Sequence, residues 1–100
     1  MPLYRSEIRP AYTGETNYVA TITIDGTGSI TGWTFSASLV GLSGTQSATA
    51  VVQNATARSV TLTLPGQATA QDAEWSVRRT DDGSSSVVAY GVIEIINPLP

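Results

Sequence analysis

One pattern constrains this chain more than any other: apolar and polar residues alternate with a period of two, and no segment sustains a period near 3.6. In NYVATITID, Tyr18, Ala20, Ile22 and Ile24 fall on one side, and Val19, Thr21 and Thr23 on the other. In WTFSASL, Trp33, Phe35, Ala37 and Leu39 alternate with Thr34, Ser36 and Ser38. Arg58–Leu64 sets Val60, Leu62 and Leu64 against Ser59, Thr61 and Thr63. Glu74–Thr80 sets Trp75 and Val77 against Glu74, Ser76 and Arg78. Successive side chains of a strand point to opposite faces, so each run reads as a half-buried strand. Gln46–Val52 is a weaker strand. Ser86–Ile96 is long and apolar on both faces, and Gly91 in its middle predicts a bulge or bend.

Turn signals separate the runs. Asp25-Gly26 and Gly28-Ser29 mark one connection, and Gly41 with Gly44 the next. Pro65-Gly66 opens QATAQDA, which predicts a single helical turn. Asp81-Asp82-Gly83-Ser84 is the strongest hairpin signal, because Asp-Gly tolerates the positive φ of tight turns. Six or seven short strands in 100 residues predict an all-β fold, an immunoglobulin-like antiparallel β-sandwich, with a small β-barrel as the alternative. The expected core is Ile22, Ile24, Trp33, Phe35, Leu39, Val60, Leu62, Leu64, Trp75, Val77, Ile93 and Ile95. For the two tryptophans the alternative is a sugar-stacking platform. Residues 1–16 read as an N-terminal arm or edge strand, 17–96 as the sandwich, and 97–100 as a Pro-rich tail. Pro98 and Pro100 lack the N–H that a ladder needs.

Composition narrows the chemistry. Histidine and cysteine are both absent. The commonest general base, disulfide scaffolds and thiolate zinc sites go with them. Carboxylates remain, but Asp81 and Asp82 are adjacent on a turn, where two groups rarely converge on one bond. Asp25–Ser29 lacks the further carboxylates and closing Glu of a calcium loop and reads as a turn. No catalytic, metal or cofactor site is therefore expected. The net charge is −3, and the cations are arginines alone: Arg5, Arg9, Arg58, Arg78 and Arg79. That is a poor match for a phosphate backbone, so no nucleic acid is expected. Charged residues make up only 13%, against about 25% in ordinary soluble domains. Even so, no apolar run approaches the ~20 residues of a spanning helix, and no membrane partner is expected. The N-terminus carries no basic stretch followed by an apolar one, so no signal peptide is expected, and the Asn54-Ala55-Thr56 sequon reads as incidental. Leu3, Tyr4, Ile8 and Tyr12 in the arm, with Arg78 and Arg79, are the candidate protein-interface residues; large amphipathic rings and arginines suit such contacts. For Arg78 and Arg79 the plainer reading is a surface pair answering Asp81 and Asp82.

The run TITIDGTGSITGWTFSASL, with VTLTLP further on and then EWSVRRTDDGSSSVVAYGVIEI, resembles the immunoglobulin-like N-terminal domain of phage upper baseplate proteins and related tail-associated virion proteins. The likeness covers about residues 17–96. It implies a structural virion component, made in the host cytoplasm, that docks onto other virion proteins in a symmetric oligomer. It carries over no catalytic residues. Such proteins usually continue into a fibre-bearing region, whereas this sequence runs to Pro100, so a capsid decoration, neck or tail position is the other placement. The expected function is thus a non-enzymatic assembly protein of a phage-like virion, docking through strand edges, loops and the arm. A carbohydrate-binding module with Tyr90 or a tryptophan exposed is the alternative. A small enzyme using Asp or Glu stands third.

Overall fold

The alternating runs form ladders. The computed structural model describes residues 8–15, 18–42, 44–83 and 85–97. Among these, seven strands and no helix are found: β1 (Ala11–Tyr12), β2 (Tyr18–Thr23), β3 (Phe35–Gly41), β4 (Gly44–Asn54), β5 (Ser59–Leu64), β6 (Gln71–Arg79) and β7 (Val87–Ile96). The fold is all-β. The order across the sheet is β1-β7-β6-β3-β4-β5-β2, every pairing antiparallel except the parallel β1–β7.

β4 decides the architecture. Thr45–Ala48 pair with β3, and Thr49–Asn54 pair with β5. One strand thereby belongs to both ladders, and the sheet coils until it is nearly closed as a barrel. This fits the small-barrel alternative. A strand of 11 residues is long enough to carry pairing around the corner, where a shorter one would end in one layer.

The inward faces make one core. Tyr18 and Ile22 of β2, Leu39 of β3, Val60, Leu62 and Leu64 of β5, Trp75 and Val77 of β6, and Ile93 and Ile95 of β7 are all buried, as is Ile24 just past β2. Trp33 and Phe35, expected in that core, are only half-buried and pack against it from the rim. The reason is positional: β3 begins at Phe35, so Trp33 precedes the ladder, in a turn where its N–H meets the Ile30 carbonyl. Ile30 is fully buried instead. It sits between strands, held by its N–H on the Ala55 carbonyl, where no alternation could reveal it.

Two local expectations are corrected. QATAQDA forms no helical turn: Gln71 already opens β6. The buried Gln67 side chain supplies the local order by donating from Nε2 to Gln46 Oε1 and to the Gly66 carbonyl. Nor does Gly91 mark a bulge. It pairs in register with Trp75, and the irregularity falls earlier, where Val77 faces Ala89 but Arg78 faces Val87. Across from the largest core side chain, a residue without one leaves room on the shared inner face.

Candidate protein-interaction surface

Two regions gather chemistry-bearing side chains. The first closes one end of the barrel. Arg79 is the last residue of β6, paired with Phe35 across the ladder, and its guanidinium lies 3.7 Å from the Trp33 ring centroid. Arg58 reaches the same ring at 5.3 Å, and Phe35 packs against it in a tilted arrangement, centroids 6.3 Å apart. Arg79 also makes paired bonds to Asp81, with Nε–Oδ1 at 3.0 Å and Nη2–Oδ2 at 2.9 Å, and approaches Asp82 at 3.6 Å. The Thr34 N–H donates to Asp81 Oδ1. Trp33 is thus covered by cations and does not offer an open face to a sugar ring.

Below the ring, Arg58 organises the loop that follows β2. Its guanidinium donates to the carbonyls of Ile24, Asp25, Thr27 and Gly28, all within 2.8–2.9 Å. Arg58 itself takes a left-handed conformation, φ 59°, at the end of a turn where the Asn54 side chain accepts from the Ala57 N–H. Gly26 has φ 121°, and a Cβ there would lie 2.9 Å from the Arg58 Nη2. The sequence signalled the Asp-Gly turn. It carried no sign of the arginine filling it, 32 residues away by the numbering of Gly26 and Arg58.

The Arg79 guanidinium, with help from the Thr34 N–H, holds the Asp81 carboxyl at about 2, below its ordinary 3.8. The fold therefore favours the ionised form. Its stabilisation is full above the unfolded carboxyl value and fades as pH falls from about 4 toward 2. Urea midpoints measured at pH 6 and at pH 2.5 should differ less for Asp81→Asn than for the parent chain; equal differences would show that the contact contributes nothing.

The second region is the outer face of β7, β6 and β3. Even-numbered residues of β6 point outward: Asp72, Glu74, Ser76 and Arg78. Ladder register sets their neighbours. Val92, Glu74 and Val40 form one row, and Tyr90, Ser76 and Ser38 the next. Val40 is 44% exposed, Val92 41% and Tyr90 36%. Together they flank a shallow depression of about 420 Å³. Ser38 and Ser76 bond through their hydroxyls at 3.2 Å, which keeps the centre low. At one end Asp72 stands directly opposite Glu94, a like-charge pair that disfavours the isolated sheet. At the other end is Arg78, exposed, donating only to the Ser85 carbonyl among the contacts described.

The expected interface residues separate. Leu3 and Tyr4 lie outside the described residues. Ile8 packs half-buried against the core. Tyr12 is 48% exposed on β1, but its neighbours are knitted into the fold. Ala11 is buried, the Arg9–Glu15 ion pair closes at 2.7 Å, and the Tyr18 hydroxyl donates to the Arg9 carbonyl. Arg9 holds the Glu15 carboxyl below its ordinary range, and burial pushes the Tyr18 phenol up. Residues 8–15 are therefore part of the barrel wall rather than a free tether. Arg79 is committed to Trp33 and the acidic turn, whereas Arg78 lies on the exposed face. Val40, Glu74, Ser76 and Val92 were not singled out from sequence. Only Val92 carried a signal, the two-sided apolar character of β7. Among the described residues no grouping of three or more acidic side chains is arranged to hold a metal ion. Comparison with family models, with curated proteins and with solved structures finds no match for this chain.

Proposed function

We propose that this chain is a non-enzymatic assembly protein of a phage-like virion, built into the particle by contacts with other virion proteins. The observation that carries the reading is the outer face of β7, β6 and β3. Three large apolar side chains stand exposed there around a serine-lined centre. Exposed apolar side chains set among polar and charged neighbours suit a protein contact whose partner answers those charges. The immunoglobulin-type reading of the fold belongs to the same proposal. β7, β6 and β3 stand in the order of strands G, F and C, while β2, β5 and the end of β4 follow the order B, E and D. That order supports the immunoglobulin-type reading of the strand arrangement.

Because the chain has no cysteine, Tyr90→Cys introduces a single thiol on the face. In assembled particles that thiol should resist a maleimide that labels the dilute free protein fully. Equal labelling in both states would remove the face from the assembly. The glycan-binding alternative now rests on Tyr90 alone, since Arg79 covers Trp33. Saturable quenching of fluorescence by virion-host glycans would favour it.

A further inference from the structure

The outer face is polarised along β6. Asp72 and Glu74 occupy one end with Glu94 beside them, and Arg78 occupies the other. None of the three carboxylates has an ion pair among the described residues. Glu74 and Arg78 are four residues apart on one strand, about 13 Å, too far to meet within a chain. Arg9 and Arg79, the cations that form ion pairs among the described residues, are committed to Glu15 and to Asp81 and Asp82. Arg58 is held by loop carbonyls.

We infer that this face pairs with the same face of a second copy about a two-fold axis crossing the Tyr90–Ser76–Ser38 row. The inference rests on the reading of the face as an interface and names its partner. Rotation about an axis in the plane of contact, perpendicular to β6, inverts the strand direction. Glu74 of each copy then lies over Arg78 of the other, and Asp72 stands just beyond it. A two-fold interface must be self-complementary in this way, each residue i meeting j while j meets i. The same rotation leaves Tyr90 beside its own counterpart on the axis and carries Val92 toward the Val87–Val88 end of the facing β7. The small Ser38 and Ser76 at the centre allow close approach of the two sheets. The like-charge pair Asp72–Glu94 gains a nearby cation that no described residue of its own chain supplies.

Sedimentation of the purified chain tests this without knowledge of any other partner. The wild type should show a concentration-dependent dimer that weakens with salt, because the charge pairs are partly exposed. Arg78→Glu and Glu74→Arg should each weaken the dimer at least about tenfold, since each places like charges together twice. An equimolar mixture of the two single variants should recover dimers, and so should the double variant, because opposite charges meet again in both. Circular dichroism checks that each variant stays folded. A wild type that remains monomeric at millimolar concentration overturns the pairing, and so does a dimer indifferent to the swap. The two proposals fail separately. A monomer in which the thiol introduced by Tyr90→Cys is still protected in particles keeps the interface and loses the self-pairing. A swap-sensitive dimer whose introduced thiol stays open in particles does the reverse.

Discussion

Replacing Trp75 with alanine should cost about 3–5 kcal/mol, a large part of the ~5–15 kcal/mol that holds a domain of this size. Trp75 is 1% exposed, near the middle of β6, with Leu39 beside it on one neighbouring strand and Gly91 on the other. Truncation loses the largest buried side chain and leaves a cavity that well-paired strands cannot collapse to fill. Its indole Nε1 is buried without a hydrogen-bond partner among the described residues. An unpaired buried N–H is a cost the native fold already carries, about 1–3 kcal/mol. Trp75→Phe removes that N–H along with part of the ring, so its net loss should be much smaller than volume alone suggests, about 1–2 kcal/mol. Urea unfolding followed by far-ultraviolet circular dichroism gives both values. A phenylalanine variant as unstable as the alanine one would show that the indole nitrogen finds a partner in solution.

Arg58→Ala should cost about 2–3 kcal/mol, most of it from the loop after β2. The side chain gathers four carbonyls and covers part of the Trp33 ring, so its removal strips the loop of its only shared donor among the contacts described. Lysine should not rescue the loss, since a single ammonium cannot reproduce the planar fork. The backbone offers an internal control. Arg58 has φ 59°, so Arg58→Gly relieves a left-handed residue while deleting the same guanidinium. It should be more stable than Arg58→Ala by about 1 kcal/mol. Thermal unfolding of the three variants, with Trp33 emission as a local probe, separates the two contributions. If Arg58→Ala unfolds with the parent, the loop is ordered by something other than this arginine.

The strands were legible because burial on one face leaves a period of two in the residues. Val60, Leu62 and Leu64 against Ser59, Thr61 and Thr63 is such a record, and β5 follows it from Ser59 to Leu64. What alternation cannot record is where a strand begins. Trp33 and Phe35 continue the pattern of Leu39, yet the ladder starts at Phe35 and the indole lies at the rim under Arg79. Connections are opaque for a related reason. Ile30 is buried by a loop whose course depends on Arg58, far away in sequence, and Gln67 is ordered by Gln46 rather than by a helical turn. The exposed face was half-legible. The two-sided apolar character of β7 was readable, but not which side would stay exposed, and the matching Val40 and the charges of β6 became neighbours only through ladder register. Leu3 and Tyr4, chosen for their place in an arm, lie beyond the described residues.

Because β4 has one end in each ladder, the two halves of the molecule are expected to open together. Amides of Thr45–Ala48 and of Thr49–Asn54 share one continuous backbone, so solvent should reach them in a single event rather than in two. Load applied at one edge of the sheet should likewise be carried through β4 to the opposite edge instead of parting the two ladders.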